Sequence, residues 1–304
     1  MNIGLIFKRI LQLLVLTVLF CIFFVVGSMA VSGFIPEIPS DPGLVSGEAG
    51  LLIISFVNAL IVMALILSSR CSGWKLMLAL AFSFYGVMTF LTQIETWFFL
   101  SDLTVDAELL QRLFIMGVPT AFIFVPLAVW ISGKGRSVET NEPIFKNHMP
   151  PAQWAWKLAL IAVIYITLYW LAGYYIAWQN PDLRAFYGSP GEITPFLEHT
   201  FQRMQEDPGL FLLQIGRSWI WVLCALPVIF GSKWKVWPTA ILVGLFFSVP
   251  NNVGHILENP LMPDASVRFT HMIETALSTF IFGLIVVWLF HQKHHSVRDL
   301  FWLE

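Results

Sequence analysis

The stretch ILQLLVLTVLFCIFFVVGSMAVS, residues 10–32, decides the fold. Lys8 and Arg9 precede it and Ser28-Met29-Ala30 resembles a cleavage site, which gives it the outline of a secretory signal. Its apolar run is too long for that role, since a signal's apolar region has roughly 7–15 residues. At about 1.5 Å of rise per residue, the run crosses about 30 Å of hydrocarbon as a helix. It therefore reads as a membrane span.

The rest of the chain agrees. Its 304 residues are 57% hydrophobic and only 12% charged, half or less of the charge share of a soluble domain. Seven further apolar runs are long enough to span, at 49–69, 76–100, 112–132, 155–178, 209–230, 236–256 and 268–290. A net charge of −2 supplies no basic field for nucleic acid, so the lipid bilayer is the expected partner. The three cysteines form no disulfide framework. The predicted class is an all-α polytopic integral membrane protein with eight transmembrane helices.

Lys and Arg set the orientation. Segments 1–9, 69–75, 133–157, 231–235 and 291–304 hold 12 of the 17, whereas the alternate loops hold four and are rich in Asp and Glu. Both termini are thus expected to be cytoplasmic.

The two halves of the chain resemble each other. TAFIFVPLAVWI at 120–131 matches STFIFGLIVVWL at 278–289, and SGWK at 72–75 matches SKWK at 232–235. Four spans is an even number, so the repeats would be parallel, related by an axis along the membrane normal. The expected organisation is a first four-span repeat at 1–132, a Gly/Ser-rich cytoplasmic linker at 133–150, and a second repeat at 151–304. The outer segment 179–208 is the main departure from that symmetry. In it, Thr194 caps an expected amphipathic helix with Pro195 in the first turn, and Ile193, Phe196, Leu197, Thr200, Phe201 and Met204 share one face. Such a helix would lie in the headgroup plane or close over the second repeat.

Ionisable residues inside spans need a partner or a purpose. Arg217 and Glu274 lie at similar depth from the outer face, about 12 and 10 Å by helical rise, and are expected to pair. His255 with Glu258, and His271 with Glu274, are each i,i+3 on one helix face across a short turn. Two imidazoles and two carboxylates suit a divalent zinc, iron or manganese ion, with Glu95 as an extra carboxylate. Asn251 and Asn252 follow Pro250, which frees a backbone carbonyl and offers amides to a solute. Arg268 either binds an anion or snorkels into headgroups.

Three function classes fit these residues. Transport or permeation of a small solute, ion or lipid follows from the duplication and the buried Arg217–Glu274 pair. A membrane-embedded metal-dependent enzyme follows from the paired His-x-x-Glu motifs. A non-catalytic sensor or assembly subunit follows from the lack of deep charge in the first repeat. No nucleophile elbow, zinc-protease or nucleotide motif is present, so no catalytic residue is assigned.

Overall fold

In a computed structural model, residues 3–101, 103–136, 149–294 and 299 are described. Most of the expected linker, residues 137–148, lies outside them. Among the described residues, eight helices are long and apolar enough to cross a membrane: α1 (Ile3–Ser28), α2 (Gly47–Ser68), α3 (Gly73–Leu100), α4 (Ala107–Lys134), α5 (Pro151–Ala177), α8 (Pro208–Gly231), α9 (Val236–Ile256) and α10 (Ala265–Phe290). Two short helices, α6 (Pro181–Phe186) and α7 (Phe196–Glu206), lie between α5 and α8. The chain is a multi-pass helical membrane protein with the eight spans read from its hydropathy.

The main revision is at the first span, which begins seven residues earlier than the apolar run and takes in Lys8 and Arg9. Arg9 donates to the side chain of Gln12 (2.8 Å) and to the carbonyl of Ser132 (3.3 Å). Gln12 donates to the carbonyl of Ile131 at 2.6 Å. These bonds satisfy carbonyls that the end of α4 would otherwise leave bare. Lys157 of α5 serves α10 in the same way, donating to the carbonyls of Leu289 and Gln292.

Within each half, α1 packs on α2 and α4, and α5 packs on α8 and α10. Between halves, α2 lies against α9 and α3 lies against α8. This neighbour pattern is unchanged when the first four spans are exchanged with the last four. The loops after α2 and α8 also meet each other. Arg70 N–H donates to the Gly231 carbonyl (2.7 Å) and Lys233 N–H to the Ser68 carbonyl (2.8 Å), around an antiparallel bridge between Ser69 and Ser232.

Lipid is as apolar as leucine, so close packing rather than water exclusion holds such helices together. The α9–α10 contact shows this most directly. A β-carbon on Gly283 would lie 2.6 Å from the α-carbon of Gly244, so the two backbones touch. Aromatic rings fill the wider gaps, with Phe20 edge-on to Phe84 and Phe124 in the first half and Tyr165 against Phe282 in the second. Leu11, Leu14, Val18 and Ile22 of α1 point away from the bundle, as residues facing acyl chains would.

A candidate chamber and its polar residues

At the end of the bundle that carries residues 29–46, 178–207 and 257–264, the helices part around a cavity of about 450 Å³. Its walls are α3, α5, α8, α9 and α10, with α6 and α7 across it. Two walls are loosened locally, because α5 widens into a π-helical turn at Gly173–Ala177 and α3 does so at Gly86–Phe90. Such wide turns recur at functional sites. Further along the same helices, towards the opposite end, Val87, Trp221 and Phe247 have no exposure.

Arg217 does not pair with Glu274. Its guanidinium makes a bidentate contact with Glu95 of α3, Nη1 to Oε1 at 2.7 Å and Nη2 to Oε2 at 2.6 Å. The Gln214 side chain accepts a third bond at 2.9 Å. Arg217 is only 3% exposed and Glu95 24%, so the cation is sealed in the wall while the carboxylate edge meets the cavity. Comparing depths within the second half identified Glu274, whereas the packing of α8 on α3 selects a carboxylate from the first half.

Glu274 has another partner. Its Oε2 lies 3.1 Å from Nδ1 of His271, one turn earlier on α10. Nε2 of the same ring lies 2.9 Å from the hydroxyl of Tyr187, which follows α6. An ionised carboxylate only accepts, so a neutral ring carries its hydrogen on Nδ1 and leaves Nε2 to accept from the phenol. Burial, reinforced by the carboxylates of Glu274 and Glu95, pushes the Tyr187 phenol pKa up, which keeps it a donor. Tyr187, His271 and Glu274 thus form an unbroken chain from the covering segment into the bundle.

The expected metal set does not assemble. The last turn of α9 is a 3₁₀ turn at Val253–Ile256, and Leu257 is extended, so His255 and Glu258 do not share a helical face. Glu258 accepts from Ser40 at 2.5 Å, while His255 Nδ1 sits 3.2 Å from the Asn252 carbonyl and lines the cavity. His271 is engaged on both nitrogens. Among the described residues, no three His, Cys, Asp or Glu side chains are placed to share a metal ion.

Asn251 and Asn252 both line the cavity and tie its walls together. The Thr92 hydroxyl of α3 meets the Asn251 amide oxygen, and the Thr275 hydroxyl of α10 meets that of Asn252. Arg268 neither snorkels nor waits for an anion. It is fully buried and donates to four carbonyls, those of Met262 (2.9 Å), Pro263 (2.8 Å), Asp41 (2.8 Å) and Pro42 (3.0 Å). The α1–α2 connector is thereby fixed to the α9–α10 turn.

The covering helix α7 begins one residue later than expected, and Thr194 does not cap it with its side chain. Instead the Thr194 carbonyl accepts from Tyr174 at 2.7 Å. Its predicted apolar face divides in two. Phe196 packs on Tyr174 and Tyr175, and Thr200 accepts from the Trp170 indole at 2.9 Å. Leu197 and Phe201 point outward at 67% and 63% exposure, as a helix lying at a lipid boundary requires. Sequence reading also missed Tyr187, whose only signal was its place in an aromatic pair with Phe186 behind a Pro-led turn.

The class that fold and chamber define is a multi-pass helical membrane protein with a cavity of mixed apolar and polar lining at one end. No family model, curated protein or solved structure matches the chain.

Proposed function

We propose that the chain is a transporter of a small solute, with the chamber as its binding site and the chamber end extracytoplasmic. One observation carries the reading: a cavity of about 450 Å³, lined by apolar and polar side chains, lies towards one end of the bundle between α3 of the first half and spans of the second. A cavity at a seam between halves, set towards one face, is what an alternating-access protein presents in one of its states. The exchange-invariant neighbour pattern supports two parallel four-span repeats, and the excess of Lys and Arg on the opposite loops supports the orientation. The lining suits a solute with both apolar and hydrogen-bonding surface, because Phe98, Trp170 and Trp178 stand beside Asn251 and Thr96.

The test needs no substrate. In a chain with Cys21, Cys71 and Cys224 changed to Ser, Thr96→Cys is exposed to a membrane-impermeant maleimide in right-side-out and in inverted vesicles. Transport requires labelling from both faces. Labelling from the chamber face alone, with and without a proton gradient, overturns the reading.

The Tyr187–His271–Glu274 chain favours a second reading, an acid–base enzyme acting on an amphiphile at the membrane surface. Products released from mixed phospholipid vesicles, read by mass spectrometry and lost in His271→Asn, would support it. The metal-dependent form of that reading draws no support from where its residues lie.

A further inference from the structure

Glu274 is the one acidic side chain in α10, where it is buried and lines the chamber. It is not neutralised by the nearby guanidinium, because both terminal nitrogens of Arg217 are committed to Glu95. Its Oε2 instead faces a nitrogen that can pass a proton, and that nitrogen's ring is in turn held by a hydroxyl that can do the same. Tyr187 stands at the end of this series, beside the exposed Gly188 of the covering segment.

We propose that Tyr187, His271 and Glu274 form a proton conduit, with Glu274 as the proton-binding group and the proton as the ion coupled to solute movement. The coupling rests on the transport reading above; the conduit itself does not.

The transfer balances at each atom. A proton from water at the chamber mouth binds the Tyr187 oxygen as the phenol gives its own hydrogen to His271 Nε2. The hydrogen on Nδ1 moves to Glu274 Oε2. The phenol ends as a hydroxyl that accepts from Nε2–H, the ring is neutral with its hydrogen on the other nitrogen, and Glu274 is neutral. The net change is one proton gained and one buried negative charge removed. Loading also reverses the direction of the Tyr187–His271 bond, so the phenol hydrogen is released towards the chamber. The covering segment thereby senses whether Glu274 is occupied.

Other charged groups border this path. Glu95 and Arg217 stand across from it on α3 and α8 as a closed pair, and Tyr169 of α5 lies within electrostatic reach of both Glu95 and Glu274. His255 of α9 lines the same cavity, and α7 contributes His199 and Arg203 on its far side. Arg268, on the same helix as Glu274, is held by its four carbonyls. Glu274 is thus the carboxylate in this group joined to the covering segment by an uninterrupted donor–acceptor series.

The experiment is infrared spectroscopy of the full chain in nanodiscs, following the protonated-carboxyl carbonyl band after a rapid pH drop. Glu274→Gln should remove one titrating band. Tyr187→Phe should leave the final amplitude unchanged and slow its appearance at least tenfold. His271→Asn should slow it as much or more. A structural phenol would leave the rate unmoved, so equal rates in wild type and Tyr187→Phe overturn the conduit, as does a full set of bands in Glu274→Gln. If Glu274→Gln does not fold, the two rate comparisons decide alone. Slowed uptake together with one-sided labelling of Thr96→Cys would keep the conduit and remove transport, which separates the two failures.

Discussion

Arg217 and Glu95 meet through two parallel hydrogen bonds of 2.7 and 2.6 Å, and each comes from a different half of the chain. This contact joins α8 to α3 at the level of the chamber, where a buried cation would otherwise lie bare. Arg217→Ala should cost about 3 kcal/mol, the range for removing one partner of a buried pair. Combined with Glu95→Ala, a thermodynamic cycle in detergent should return a coupling of at least about 1 kcal/mol. Combined with Glu274→Ala, the effects should add to within about 0.5 kcal/mol.

Gly283 and Gly244 set the spacing of α9 and α10. Gly283→Ala would place a methyl group 2.6 Å from the Gly244 α-carbon and 2.8 Å from its nitrogen. Neither is a side chain that can move aside, so the helices must separate. Overpacking of this kind costs about 1–3 kcal/mol. Gly216→Ala is the control, since nothing lies within 4 Å of a β-carbon there. Unfolding midpoints should fall for the first and hold or rise for the second.

Arg268 holds the α1–α2 connector through carbonyls alone. Lysine carries the same charge but lacks the planar fork of five donors. Arg268→Lys should therefore behave much like Arg268→Ala, exposing residues 36–46 to limited proteolysis and lowering stability by about 2 kcal/mol or more. If charge alone mattered, lysine would rescue.

His199 of α7 stacks near Trp178 at 5.3 Å, and burial, then the Arg203 charge, lowers its pKa from the usual value. The unfolded or undocked ring binds protons more readily than the docked one. Docking of α7 is therefore fully favoured above about pH 6.5, the ordinary imidazole value, and weakens as pH falls through the lowered one. The part of the tryptophan emission that Trp178→Phe removes should report that loss on acidification. His199→Gln should flatten the curve.

Hydropathy made the spans legible, because a long apolar run has few alternatives to a membrane helix. It could not reveal which spans touch. The sequence presented Glu95 and Glu274 as carboxylates near the same membrane face, and only the packing of α3 on α8 decides between them. The His255–Glu258 spacing failed for a local reason: the motif assumes a continuous helix, and α9 tightens and stops between the two residues. Arg268 looked like an interfacial cation because its acceptors are backbone carbonyls, which every sequence contains and none advertises. Tyr187 was hidden because its importance comes from a contact with a residue 84 positions away.

The connector clamp also makes the two flanks of the chamber unlike. Asp41 and Leu44 donate their N–H groups to Pro263 and Ile256, and the Asp41 carboxylate accepts from Ala265 N–H. With Arg268 added, α2 is buckled to the α9–α10 turn at this end. A motion that swings α9 and α10 away from α2 would have to break all of these bonds together. On the other flank the covering segment is held to α5 and α10 through side chains instead: Tyr174 donates to the Thr194 carbonyl, Asn180 donates to Ser266 and Thr270, and Tyr187 meets His271. One flank of the chamber is thus laced mainly through backbone groups and the other through side chains that substitution can remove one at a time.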